Sequence, residues 1–300
     1  METDTEDFGE ARRGDAVAIP TGQLEELITW FESNPNLPEK IEPIVMLRFM
    51  KCLEYNAEKI KALVELNYSL RNKNPHIFIE RSIDDDMTAK CLRASDLLVL
   101  PGLTPEGNKL VFFRMVDMEP NARNSVEETK IFYMMSDARF TLPDVEKPKD
   151  QDQDQLNESD IADGEIQIVD IEGYTLRHLA YVSIFVLRIH MKFLQEAYPS
   201  RLKTMHVINC PSYLDRLISM MSPFIREEVR KLIKYHTDGL ESLYEEVPRD
   251  MLPNEYGGKA GTIAELKERN IQMMRDQRAY LRDDRYWNVA SQGKSRWSWF

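Results

Sequence analysis

Three apolar runs set the frame of this chain: KLVFFRMVD at 109–117, EIQIVDI at 165–171, and the alternating part of YPSRLKTMHVINCP at 198–211. Each is short enough for a strand and bounded by turn residues: PGLTPEGN before the first, Glu172-Gly173 after the second, Pro211 after the third. Between them lie helical patterns over 126–139 and 175–197. Strand–helix–strand alternation confines the fold to a largely parallel sheet with covering helices, an α/β architecture. The second of those helices is apolar on nearly every side, so burial on more than one face is expected.

Before residue 100 the pattern is helical, with no strand signal until Lys109. Leu24, Leu27, Ile28 and Phe31 recur at i, i+3, i+4, i+7 and form one apolar stripe. Pro35 and Pro38 end that helix, IEPIVMLRFMKCL opens a second, and a third runs over 57–71 until Asn74-Pro75 closes it. The expected organisation is a disordered N-terminus (1–20), an all-helical N-terminal domain (21–100), an α/β domain (101–262), and a C-terminal helix with an aromatic and basic tail (263–300). In that tail, interfacial contact by Tyr286, Trp287, Trp297, Trp299 and Phe300 competes with simple folding back onto the domain.

Charge is unevenly spread. Of the net −12, residues 143–165 account for −7, with nine acidic and two basic side chains, leaving −5 for the rest. The Asp-Gln repeats and missing apolar period of that segment describe a flexible, solvated loop. The acidic balance argues against a nucleic-acid partner. METDTEDFGEARRGDA lacks the apolar run of a signal peptide, and the most apolar stretch (179–194) is interrupted by Arg188, His190 and Lys192 and too short to span a bilayer. Cys52, Cys91 and Cys210 are odd in number, widely spaced and free of any C-x-x-C, so neither disulfides nor zinc are expected. The expectation is a soluble cytoplasmic monomer with no cofactor and no metal.

His206 and Cys210 raise the question of catalysis. Four residues apart on a strand they stand about 13 Å from one another, beyond the reach of a thiolate–imidazole pair. His76, His178, His190 and His236 show no metal-ligand spacing, and no Gly-x-Gly-x-x-Gly, Walker-type lysine loop or Gly-x-Ser-x-Gly is present. No enzyme is expected.

After Pro211, Leu214, Leu217, Ile218 and Met221 form an apolar stripe, resumed beyond Pro223 at Ile225, Val229, Leu232 and Ile233. Arg226, Arg230 and Lys234 would form a cationic row on another side of the second helix. Two readings fit: an ordinary amphipathic surface helix, or a helix that covers a lipid cavity and meets anionic membrane with its outer face.

The run YPSRLKTMHVINCP, followed by SPFI and then LPNEYGG (252–258), resembles the CRAL-TRIO lipid-binding domain, in particular its tocopherol-transfer and retinaldehyde-binding branch. DIEGYTLRHL (170–179) is similar to the family's Asp-x-x-Gly turn, and LRFMKCLEYNAEKIKALVELNYSLRNKNPHIF (47–78) to its preceding helical domain. The likeness covers roughly residues 25 to 262. It implies a CRAL-TRIO α/β domain over 101–262 whose amphipathic lid helix closes on a hydrophobic ligand and opens at membranes. Carried over by position, the ligand-facing lid residues are Leu214, Leu217, Ile218, Met221 and Ile225. The floor and walls are Phe132, Ser136, Val182, Leu194, Tyr198, Leu202 and Met205, with Ser136 or Tyr198 as polar anchors. Burying about 400 Å² of lipid contributes on the order of 10 kcal/mol before ordering costs.

Relatives that bind phosphoinositides do so through basic residues beside the lid. Arg201 and Lys203 match two of those positions, while Glu228 and Leu232 stand where the lid's basic pair would be. Arg226, Arg230, Lys231 and Lys51 are substitutes from neighbouring positions. His190 departs from an apolar family position, as a ligand anchor or a core histidine. The implied function is a non-enzymatic carrier of a tocopherol- or retinoid-like lipid, in transient contact with anionic or phosphoinositide-bearing intracellular membranes. The alternative is a phosphoinositide-sensing membrane adaptor that transports nothing.

Overall fold

A computed structural model describes residues 22–119, 124–145 and 156–289. The expected disordered N-terminus, most of the acidic loop, and Trp297, Trp299 and Phe300 lie outside the described residues.

Five helices come first: α1 (Gln23–Ser33), α2 (Pro43–Cys52), α3 (Ala57–Lys73), α4 (Pro75–Phe78) and α5 (Asp86–Ala94). Proline opens α2 and α4, where its missing N–H costs nothing, and the Asn56 side chain accepts from Lys59 N at 3.1 Å to cap α3. Phe31, Met46, Leu47, Met50, Ile60 and Val64 do not form a core of their own. They share one with Tyr133 and Phe140 of α6 (Ser125–Phe140) and Val186 and Phe193 of α8 (Ile184–Glu196), after the short α7 (Leu176–Leu179). The N-terminal helices therefore brace two walls of the domain that follows.

That domain is a five-stranded sheet in chain order: β1 (Ser95–Val99), β2 (Asn108–Met115), β3 (Gly164–Asp170), β4 (Leu202–Ile208) and β5 (Ile233–Tyr235). β1 runs antiparallel to β2, and every later pairing is parallel. β1 falls where only helices were expected. It follows α5 with no glycine or proline between, and its five residues carry too short a pattern to announce a strand. Parallel crossovers are right-handed, so an order that steps steadily across the sheet places every crossover on one face. That face receives α6, then α7 and α8, then α9 (Leu214–Met221) and α10 (Glu227–Arg230).

The opposite face is closed by α11 (Glu241–Tyr244) and the start of α12 (Ile263–Asp276), while α13 (Arg278–Arg282) and α14 (Asp284–Trp287) pass to α6 and the N-terminal core. Leu110, Phe112, Ile166, Ile168 and Ile208 pack there on Leu243, Val247, Leu252 and Leu266. Tyr280 and Trp287 fold back onto the N-terminal core, which removes Trp287 from any interfacial role.

Two helical expectations are corrected. Residues 175–197 do not form one helix: the Ser183 hydroxyl accepts from Val186 N at 3.4 Å and starts a new one. Instead of being buried on several faces, this region exposes Tyr181, Ile184 and Phe185 at 53%, 49% and 61%. Beyond Pro223 the helix lasts only four residues, and Ile233, Lys234 and Tyr235 pair with Met205, His206 and Val207 as an edge strand. Ladder bonds to β4 outweigh another helical turn, so Arg226, Arg230 and Lys234 form no row. Lys234 pairs with Glu246 instead.

Candidate functional site

The crossover face of the sheet is the floor of the site. Val111, Gln167 and Met205 are register partners across β2, β3 and β4, as are Phe113, Val169 and Val207. Val111 packs with Ile131, Met134, Met135 and Ala138, so α6 fills the β1–β2 side of this face. Further across, Phe113, Gln167, Val169 and Met205 remain partly accessible, while Ile166, Ile168 and Asp170 on the other face are buried. A strand flanked by strands on both sides keeps such access only when the space above it is unfilled.

A register shift next to Glu165 makes Lys203 the extra residue of β4. Leu202 pairs with Glu165 and Met205 with Gln167, so this bulge turns both floor residues, three apart, to the same face.

Above the floor, α9 turns Leu214, Leu217, Ile218 and Met221 inward; Leu217 is 7% exposed and the other three are half-buried. These four, with Ile225, Val182, Leu202 and Met205, take no part in any of the three hydrophobic cores. Phe132, Leu194 and Tyr198, by contrast, belong to the N-terminal core or pack against it. α9 is fastened at its ends. The Tyr213 hydroxyl donates to Tyr174 O at 2.5 Å, Gln195 donates to Phe224 O at 3.0 Å and accepts from Arg226 N at 2.7 Å, and Arg226 pairs with Glu196 at 2.5 Å. Its start is set by the Asp170 turn, where Gly173 has φ 70° and a Cβ would come within 2.6 Å of Met118 Sδ.

The two polar anchors expected from sequence hold one another. The Tyr198 hydroxyl donates to Ser136 Oγ at 3.0 Å, Ser136 donates to Phe132 O at 2.9 Å, and Tyr198 also approaches Glu165, which pairs with Arg139. Arg139 and Arg48 grip Asp144. Burial pushes the Asp144 carboxyl up, but Arg48 and then Arg139 outweigh it and hold the group well below the usual range. His190 is half-buried against the N-terminal core: its Nδ1 lies 3.0 Å from the Tyr133 hydroxyl, and its ring stands edge-on to Phe132 at 5.3 Å.

The candidate cations separate into two groups. Lys51 and Arg201 line one small recess. Lys51 pairs there with Asp163 at 2.8 Å, while Arg201 donates to Cys52 O at 2.6 Å and meets Glu54 at 3.1 Å. Arg226 and Arg230 lie elsewhere and pair with Glu196 and Glu227. Lys203 carries no ion pair among the described residues. A second small recess, lined by Tyr68, Arg71, Asp137 and Trp287, lies in the N-terminal core rather than beneath α9.

His206 and Cys210 do not meet. The Cys210 thiol donates to Val207 O at 3.4 Å, and burial raises its pKa, away from a nucleophilic thiolate. His206 instead joins a hydrogen-bonded chain whose two rings are buried, Thr204 Oγ1 to His206 Nε2 (3.0 Å), His206 Nδ1 to His236 Nε2 (2.9 Å) and His236 Nδ1 to Ser242 Oγ (2.7 Å). Thirty residues separate the two rings, so no local spacing reveals the pair. Burial lowers His206 and His190 from 6.5 to about 4. The unfolded chain takes up these protons below about pH 6.5 and the folded chain resists until about pH 4, so stability is complete above the window and falls within it. Thermal scans are expected to show Tm dropping from pH 6.5 to 4; a flat Tm would exclude neutral buried rings.

Sequence reasoning missed Phe113, Gln167 and Val169 on the floor. The available signal was a glutamine inside a strand otherwise apolar enough for burial on both faces.

A family model described as CRAL/TRIO domain matches residues 93–258, and one described as Pinta-like, UBA domain matches residues 20–88. Human alpha-tocopherol transfer protein-like is 25% identical over 229 residues, covering 76% of this chain and 62% of its own length. Clavesin-1 of Xenopus laevis is 25% identical over 213 residues, covering 71% and 60%. The chain thus spans somewhat over half the length of these curated relatives. The crystal structure of Sfh5 superposes with a TM-score of 0.47 at 13% identity, over 86% of this chain and 93% of that one.

Proposed function

Because the chain belongs to the CRAL/TRIO domain family, whose model matches more than half of it, we propose that it carries a bulky hydrophobic lipid between membranes without altering it chemically. The family consists of lipid-binding and lipid-transfer proteins. The observation that carries the reading here is the partly accessible floor of β2, β3 and β4 beneath an apolar α9 that joins no core. A lipid seated there would bury both surfaces at once. A tocopherol- or retinoid-like ligand fits the alternation of Phe, Val, Met and Leu that such a space presents.

Exchange at membranes draws support from the tip of α8. Tyr181, Ile184 and Phe185 are exposed, and residues 173–195 contain no acidic side chain in a chain of net −12. Arg177, Arg188 and Lys192 in this stretch are exposed and form no ion pair among the described residues, which suits an anionic surface. Among the described residues no helix is long and apolar enough to cross a membrane. A phosphoinositide-sensing adaptor draws less support, since Lys51, Arg201, Arg226 and Arg230 each already hold a carboxylate.

Mass spectrometry of organic extracts from the purified protein is expected to find a lipid at close to one per chain; protein purified free of lipid and unable to take any up overturns the carrier. Phe185→Asp should weaken sedimentation with phosphatidylcholine–phosphatidylserine vesicles about tenfold or more, the worth of one apolar side chain. Unchanged sedimentation would move the membrane contact elsewhere.

A further inference from the structure

Gln167 lies in the middle strand of the sheet and faces the space beneath α9, with Val111 and Met205 as its register neighbours. Its carboxamide makes no hydrogen bond to the protein among the described residues. Nearby polar groups differ. Glu165, two positions along the same face, is engaged by Arg139 and Tyr198, and Ser136 by Tyr198. Those groups saturate one another, while Gln167 keeps two donors and an acceptor open beside apolar neighbours. An amide left unpaired when that space becomes dry is costly.

We propose that Gln167 is the polar anchor of the ligand site, and that the lipid it receives is neutral and carries a hydroxyl or carbonyl group. The proposal rests on the carrier reading. An amide both donates and accepts, so it satisfies a hydroxyl in either sense and a carbonyl through its N–H. A carboxylate or phosphate is disfavoured, because the residues flanking Gln167 in the register are uncharged and the nearby cation Arg139 is already spent on Glu165 and Asp144. The polar end of the lipid then lies on the sheet, with its hydrocarbon under α9.

The test uses the full chain with phosphatidylcholine vesicles carrying equimolar phytol and phytane, and hexadecanol and hexadecane. Protein is separated from vesicles and its lipid quantified. Wild type is expected to take each alcohol in preference to its hydrocarbon partner. Gln167→Met, which keeps the length of the side chain, should lower that ratio about three- to tenfold, the worth of one neutral hydrogen bond. Lipid-free Gln167→Met should also melt no lower than wild type, since the amide it removes bonds nothing in the fold. An equal ratio in both proteins overturns the anchor and leaves the carrier standing. So does a wild type without preference, which decides the matter even if the variant misfolds. A wild type that takes up none of the four lipids while yielding no lipid of its own on extraction sinks the carrier, and the anchor with it.

Discussion

Leu217→Asp is expected to abolish lipid retention while leaving the sheet folded. Leu217 is the most buried residue of α9, and its inward neighbours Leu214, Ile218 and Met221 keep part of their surface open. Leu217 is covered by the protein itself, and the open surface of its three neighbours is what a lipid would cover. Removing the leucine forfeits about 1.5–3 kcal/mol of apolar contact, and a carboxylate facing hydrocarbon adds several more, so retention should fall at least about a hundredfold. The sheet has independent support, because Leu110, Phe112, Ile166 and Ile208 pack on the opposite face and the ends of α9 are held through Tyr213 and Arg226. Lipid per chain by mass spectrometry and secondary structure by circular dichroism separate the outcomes. Loss of the fold with loss of lipid would make α9 part of the core, and the space beneath it no ligand site.

α9 was legible from sequence because four apolar residues at helical spacing survive in it as one stripe, and the motifs around Asp170, His206 and 252–258 identify the family in their order. What could not be read is where local signals are ambiguous or long-range. α7 ends at Leu179 and Ser183 caps a new helix, inside an apolar run without glycine or proline. LIKY beyond Val229 continues a helical stripe as well as it alternates, and only pairing with Met205–Val207 makes it a strand. The extra residue Lys203 comes from register with β3, which no reading of β4 alone contains. The same holds for the ties that consume charge: Arg201 to Cys52 and Glu54 spans nearly 150 positions, so a basic residue exposed in the sequence is already occupied in the fold.

Another long-range tie carries the largest expected loss of stability, at Asp137. Arg71 grips its carboxylate with both Nη atoms, at 2.9 and 2.8 Å, and Arg81 adds a third bond at 2.6 Å, with all three side chains almost fully buried. Arg71 Nε also donates to Asn67, whose own amide reaches Ala197 O at the end of α8, and the Arg71 and Arg81 guanidiniums lie 5.1 and 4.7 Å from the Trp287 ring. One carboxylate thereby joins α3, α6, α8 and α14, the elements that flank the proposed ligand space. Asp137→Ala leaves two guanidiniums buried together with no counter-charge, a cost of about 3–5 kcal/mol against the roughly 5–15 kcal/mol that stabilises a domain. Arg81→Met should cost far less. It leaves one arginine bidentate on one carboxylate, a balanced pair, and removes a guanidinium whose Nε and Nη2 have no hydrogen-bond partner. Urea denaturation of both variants reads the ordering directly. Equal losses would mean that packing against Trp287, rather than charge balance at Asp137, binds the N-terminal helices to the lipid-binding domain.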